Sequence, residues 1–248
     1  MIELVREGEI AILTLARGKV NALNEPLVEQ LGKSLGHLAS DREIRTVIVT
    51  GQGKFFSFGF DIPEFLAYSK NSFTRYIAKF CSLYTSMFLF PKPLIAALNG
   101  HTVAGGCMLA IACDYRVMAS GKSKISLNEI TFGSTLPAGC VEMLRYWIGF
   151  GKAQEVLYSG AMYSAEEALG LGLVDKVCPP EELLDAARKV AKDFAQKDGA
   201  AFKSIKGLLR GPVAQEMTKR EKDAVPEFVD IWYSETTWSK LKEIQIRS

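Results

Sequence analysis

The stretch Asn99–Ala119, NGHTVAGGCMLAIACDYRVMA, decides how this 248-residue chain is read. Its middle, Gly105 to Cys113, is apolar at every position and predicts a helix buried on all sides. Gly105 and Gly106 open that helix, and formal charge returns only beyond it, at Asp114 and Arg116. Before it, Leu94–Leu98 reads as a buried strand, and Tyr115–Ala119 after it reads as another. A strand, a turn and a buried helix that begins on glycines put free N–H groups and a partial positive charge where a ligand's atoms can come close.

Working outward, the first half alternates strands and helices. Ile10–Leu15 is a short apolar strand and Thr46–Thr50 a β-branched one. Asn24 is placed to cap a helix with Pro26 in its first turn and Leu27, Leu31, Leu35 and Leu38 at helical spacing. Glu64 to about Phe90 reads as helical until Pro91 and Pro93 stop it. In the second half, Gly151–Ser159 and Ser164–Leu171 read as short helices, the second with a capping box from Ser164 and Glu167. Pro180–Gln196 reads as an amphipathic helix, and Glu216 to the end as helical. Strands thin out after about Val177. The division expected is a core over residues 1–190 and a helical region over 191–248. Phe228, Ile231, Trp232, Trp238 and Leu241 make that tail too apolar to stand free. It packs on its own core or on a neighbouring subunit.

Composition narrows the function. Hydrophobic residues make up 48% of the chain, and 30 basic residues nearly balance 28 acidic ones. That calls for neither nucleic acid nor a membrane surface as partner. No apolar run has the roughly 18–20 residues of a membrane span, and the opening MIELVREGE has no signal-peptide pattern. The five cysteines, without C-x-x-C spacing, read as small core residues in a reducing compartment. A cytoplasmic location is expected.

The familiar catalytic patterns fail. Gly51 and Gly53 in GQGKFFSFGFD fit a dinucleotide fingerprint, but Phe56 stands at its third glycine. Gly121-Lys122-Ser123 imitates the end of a phosphate loop, but Arg116 occupies the first-glycine position. With two histidines, His37 in a polar helix stretch and His101 in a turn, and no G-x-S-x-G, a Ser-His-Asp site is not expected. No group of residues has metal-ligand spacing, so no metal is expected. Two glycine-bearing turns remain, Gly59-Phe60-Asp61 and Gly105-Gly106. They are either tight turns and nothing more, or two donors aimed at one developing oxyanion. Near them in SKISLNEITFGSTLPAG, Glu129 stands among Ile125, Leu127, Ile130 and Phe132. Such a carboxylate either faces away from the core, the commoner case, or is held inside for proton chemistry with a raised pKa.

Four ordered stretches, FFSFGFD, PLIAALNGHTVAGGCMLAIACDYRVMA, SLNEITFG…LPAG and SAEEALGLGLVDKV, resemble the crotonase (enoyl-CoA hydratase/isomerase) superfamily over nearly the whole chain. The resemblance implies an α/β fold, a crotonase-like spiral of ββα units with a C-terminal helical trimerisation region. It implies an acyl-CoA thioester as substrate, an enolate intermediate, a homotrimer or a hexamer of two trimers, and no cofactor, coenzyme A being part of the substrate. By the same resemblance the oxyanion donors are the backbone N–H groups of Phe60 and Gly105. Asp61 and Ile62 flank the CoA, Ala22 within GKVNALN helps hold its adenosine end, and Gly106 belongs to the binding turn.

Family hydratases carry a glutamate after the Gly-Gly-Cys, in addition to the one corresponding to Glu129. Here the first position is Met108. One remaining base suits transfer of a proton from C2 to C4 of a 3-enoyl-CoA. The pattern resembles the delta3,delta2-enoyl-CoA isomerases of fatty-acid β-oxidation. Glu129 is then the single catalytic base, and Met108, Leu136 and Pro137 shape the acyl pocket. A hydratase or hydrolase acting on a special acyl-CoA, and a protein that binds acyl-CoA without turnover, are the alternatives.

Overall fold

The computed structural model describes residues 1–244; residues 245–248, the end of the expected helical region, lie outside them. The chain opens with strands β1 (Ile2–Glu7) and β2 (Ile10–Leu15), then helix α1 (Glu25–Ser40). The side chain of Asn24 accepts the Leu27 N–H, and Leu27, Val28, Leu31, Leu35 and Leu38 bury one face of α1. Three rounds of strand, strand and helix follow. The first is β3 (Thr46–Gly51), β4 (Phe55–Ser57), the single-turn α2 (Ile62–Phe65) and α3 (Lys70–Phe88). The second is β5 (Leu94–Leu98), β6 (His101–Val103) and α4 (Gly105–Ala112). The third is β7 (Tyr115–Ala119), β8 (Ile125–Ser126), a 3-10 turn at Glu129–Phe132 and α5 (Ala138–Ser159). The chain closes with α6 (Ala165–Leu171), β9 (Lys176–Cys178), α7 (Leu183–Ala195), α8 (Gly199–Trp232) and α9 (Glu235–Glu243).

In each round the first strand joins a six-stranded sheet, order β1-β2-β3-β5-β7-β9, and the second joins a three-stranded one, order β4-β6-β8. Only the β1–β2 pair is antiparallel. This is the expected spiral of ββα units. Inside its exposed edge strand β1, the larger sheet is buried on both faces. One face carries Ile12, Ile48, Ile95 and Val117 under Leu183, Ala187 and Ala191 of α7. The other turns Leu13, Val47, Val49 and Ala96 towards the main core.

The structure departs from the sequence reading at particular places. The strands of the small sheet have two or three residues each, too few for a periodic signal, and β6 runs inside what reads as a turn. The helix expected from Glu64 is divided, because the Asp61 side chain accepts the Glu64 N–H to cap α2 and that of Ser69 accepts the Ser72 N–H to start α3 again. Gly151–Ser159 is the second half of α5, which bends at Gly149 with φ +74°. α8 begins at Gly199, well before Glu216, and contains Pro212 and Pro226. Burial of Lys206, Arg210, Ala214, Met217, Phe228 and Trp232 carries it through two residues that would break an isolated helix. The tail packs on its own core, with Phe228, Trp232 and Leu241 buried there.

Gly106 fixes how closely α4 lies on the small sheet. A Cβ there would stand 2.5 Å from the Ser57 carbonyl oxygen and 2.9 Å from its Cβ. Gly36 in α1 has nothing within 4 Å of the corresponding position. Gly106→Ala is therefore expected to lower the unfolding free energy by about 1–3 kcal/mol. Gly36→Ala should raise it by about 0.5–1 kcal/mol. Equilibrium denaturation of the two variants checks both signs.

Candidate active site

The two glycine turns meet. At Gly59, φ is +97°, and a Cβ there would lie 2.9 Å from the Ala104 Cβ and 3.1 Å from the Gly105 nitrogen. Leu23 bridges to Phe60 in parallel fashion: the Leu23 N–H donates to the Gly59 carbonyl (2.7 Å) and the Asp61 N–H to the Leu23 carbonyl (3.1 Å). That pairing passes over the Phe60 N–H. Ala104, the residue before α4, has φ +50° and ψ −122°, a costly conformation for a residue with a Cβ. Its N–H donates to the Ser126 carbonyl (2.9 Å), and its carbonyl accepts the Met108 N–H (3.0 Å). Hydrogen bonds on both sides hold the strained turn, and α4 starts with the Gly105 N–H in its open first turn.

Glu129 is the first residue of the 3-10 turn and is 4% exposed. Neither carboxylate oxygen has a hydrogen-bond partner among the described residues. Burial pushes the group up to about 8 from an ordinary 4.5. It borders a cavity of about 300 Å³. Phe58, Phe60 and Ile62 line one side and Val103, Ala104 and Met108 another. Asn128, Thr131 and Phe132 flank Glu129, and Phe228, Trp232 and Ile244 come from the C-terminal arm. Glu129 is the one ionisable side chain among these residues.

The structure thus brings Phe60, Ile62, Met108 and Glu129 to one cavity, with Gly105 at its edge: the Phe60 ring lies 3.1 Å from where a Gly105 Cβ would be. Five other expected residues do not line it. Gly106 serves the packing of α4. Asp61 caps α2 and pairs with Arg17 at 2.6 Å, while the Ala22 carbonyl accepts from the same guanidinium at 3.0 Å. Leu136 packs half-buried against the main core and Pro137 precedes α5. His101 is also off the cavity; its Nδ1 accepts the Lys124 N–H (3.2 Å) and its ring lies against Phe55. Among the described residues, no group of three or more His, Cys, Asp or Glu is placed to hold a metal ion. Among the same residues, no helix is long and apolar enough to cross a membrane.

The sequence reading missed Ala104, Asn128 and the arm as cavity walls. The apolar excess of the tail was the available signal for Phe228 and Trp232, but it did not say which surface they cover. Ala104 gave none, since a positive φ at alanine is imposed by its surroundings.

The sequence model of the family described as enoyl-CoA hydratase/isomerase matches residues 6–232. The chain belongs to that family. It is 33% identical over 205 residues to the short-chain-enoyl-CoA hydratase of Clostridium acetobutylicum, covering 82% of this chain and 78% of that one. It is 30% identical over 230 residues to the mitochondrial enoyl-CoA delta isomerase 1 of Mus musculus, covering 92% of this chain and 80% of that one. The crystal structure of human mitochondrial delta3-delta2-enoyl-CoA isomerase superposes with a TM-score of 0.93 at 26% identity, covering 98% of this chain and 95% of that one. The fold is that of the crotonase family, and the chain is an enzyme of this class, similar to relatives named for both reactions.

Burial of Glu129 has a cost that depends on pH. Its carboxyl keeps a proton to about 8 in the folded chain and to about 4.5 when unfolded. Between those values the folded state binds more protons, so stability falls as pH rises, by up to about 1.4 kcal/mol per unit for this group. Glu129→Gln removes the term. The variant is expected to be more stable than the parent by a few kcal/mol at alkaline pH, with the difference vanishing below about pH 4.5. Urea titrations at several pH values measure it.

Proposed function

We propose that this enzyme is a delta3-to-delta2 enoyl-CoA isomerase that uses one base. The observation that carries the reading is a buried, unpaired carboxylate beside two meeting glycine turns, with Met108 rather than a second acid in the same cavity. The thioester oxygen of a 3-enoyl-CoA would sit between the Phe60 and Gly105 N–H groups. Glu129, ionised, takes a proton from C2. The electron pair left on C2 spreads onto the thioester oxygen and across the double bond, giving a dienolate that the two N–H groups stabilise. Glu129 then returns the proton to C4, leaving the 2-enoyl-CoA and a regenerated carboxylate. Met108, 1% exposed, would keep the space beside the β-carbon apolar and offer an attacking water no partner there. The substrate would enter on the side where Ala22, Asp61 and Arg17 are grouped, in keeping with the roles the family resemblance gives Ala22 and Asp61.

A second reading, hydration, draws on Asn128 and Thr131, polar residues of the cavity wall close to Glu129 in the chain. Products distinguish the two. With trans-3-hexenoyl-CoA and 2-hexenoyl-CoA as separate substrates, the isomerase reading expects 2-enoyl product from the first and little 3-hydroxyacyl-CoA from either. Substantial 3-hydroxyacyl-CoA from the second overturns it. Glu129→Gln is expected to lose about 10²–10⁴ in kcat. In the parent, kcat/KM should rise with pH through about 8, where Glu129 loses its proton.

A homo-oligomer, a trimer or a pair of trimers, belongs to the same proposal. Ile205, Leu208 and Leu209 of α8 are 58%, 76% and 58% exposed, an apolar ridge of the kind a subunit contact covers. Leu208→Glu should shift sedimentation towards the monomer.

A further inference from the structure

The Glu129 carboxylate has no side-chain tether, so its place depends wholly on the 3-10 turn that carries it. That turn is held at two points. On one side it lies against Gly160 at the end of α5, where a Cβ would meet the Ile130 and Thr131 Cγ2 atoms at 2.8 Å. On the other it ends at Gly133, whose φ of +82° closes the turn. The Glu129 carbonyl accepts the Ser134 N–H at 3.0 Å. The Gly133 carbonyl accepts from the Thr237 hydroxyl of α9 at 2.6 Å. Thr237 is 1% exposed, and its Oγ1 in turn accepts from the Ser234 hydroxyl at 3.1 Å. A Cβ on Gly133 would come within 3.2 Å of Thr237 Oγ1, so the two backbones are in close approach.

We propose that Thr237 is a positioning residue for Glu129: its bond to Gly133 latches the turn that carries the base to the C-terminal arm, so the base is seated only when the arm is docked. The inference rests on the reading of Glu129 as the base. The arm that holds the latch also closes the cavity through Trp232 and Ile244. It is anchored elsewhere as well: the Tyr233 hydroxyl donates to the Tyr68 carbonyl at 2.8 Å, and the Trp232 ring lies 4.6 Å from that of Phe73. Loss of the latch should therefore loosen the turn without releasing the arm.

The other titratable groups around Glu129 do not confuse the readout. Cys107 of α4 and Cys140 of α5, both fully buried, are pushed above the ordinary thiol range by burial and stay neutral. On α9, Lys240 faces the end of the turn, its Nζ 3.9 Å from a Cβ built on Gly133. A turn that shifts by an ångström misaligns the base and admits water to it. The first effect lowers kcat, by up to about 10²-fold for such a displacement. The second moves the limiting pKa of the rate profile down towards the ordinary carboxylate range.

The experiment compares Glu129→Gln, Thr237→Val, Thr237→Ser and Tyr233→Phe in the full chain, with kcat, KM and the pH profile for 3-hexenoyl-CoA. Thr237→Val is expected to lose about tenfold or more in kcat with KM little changed, and to shift the profile to lower pH. Thr237→Ser, which keeps the hydroxyl, restores both. Tyr233→Phe loses an arm hydrogen bond that does not touch the turn, and lowers stability without moving the profile. Should Thr237→Val not fold, Thr237→Ala serves, with a shift in the same direction expected. Parental kcat and profile in Thr237→Val, or in Thr237→Ala where that variant stands in, overturn the latch. So does an equal shift in Tyr233→Phe. An active Glu129→Gln overturns the base and the latch together; an inactive one beside an unshifted Thr237→Val overturns the latch alone.

Discussion

A helix buried on every side must settle both of its ends, and α4 settles them differently. Its last carbonyls are met by cations and an indole. Arg210 donates to the Ala112 and Cys113 carbonyls, each at 3.4 Å, Arg116 to that of Cys113 at 3.2 Å, and the Trp147 indole to that of Ile111; Arg210 also reaches the Phe88 carbonyl at the end of α3, at 3.0 Å. Asp114 balances Lys206 at 2.7 Å and Arg210 at 3.0 Å, and Asp175 pairs with Arg116 at 2.7 Å. Positive groups at the negative end of a helix are favourable, and these are too deeply buried for salt to screen. The first N–H groups of α4 get no such partners. The proposed chemistry gives the Gly105 N–H, at the cavity's edge, to the substrate oxygen.

The same charges tie distant parts of the chain to that helix. Lys206 and Arg210 belong to α8, so the cluster at the rear of α4 docks α8 along α5 and α3. The far end of α8 then brings Phe228 and Trp232 over the cavity at the front of α4. The front end carries unfavourable features. Ala104 is strained, and Asn128 Oδ1, both Glu129 carboxylate oxygens and Trp232 Nε1 are buried polar atoms without hydrogen-bond partners, as are atoms of Thr46, Thr85 and Arg116 away from the cavity. Native proteins leave few such groups unmatched. Those that border the cavity are where the proposed chemistry would offset the lost stability.

Much of this was legible in the residues. Asn24 with Pro26, the capping box at Ser164 and the buried strands at Thr46 and Leu94 follow from local chemistry, and each is where that chemistry puts it. Glu129 shows the limit. A carboxylate between Leu127 and Ile130 is more often exposed, and pattern alone favoured that reading; only the family resemblance argued for burial. In the structure the turn sends Glu129 inward and leaves Ile130 46% exposed. The small sheet, the strained Ala104 and the early start of α8 were not legible for a shared reason. Each is set by contacts between segments far apart in sequence, which no window of neighbouring residues contains.

The walls of the cavity come from well-separated parts of the chain, Phe58 to Ile62, Val103 to Met108 and Asn128 to Phe132 first, and Phe228 to Ile244 near the end. A polypeptide emerging from the ribosome would hold both glycine turns and the glutamate long before it could close the pocket around them. During that interval the carboxylate would be wet and the binding surface open. Reactivity would switch on only when the last helices fold back.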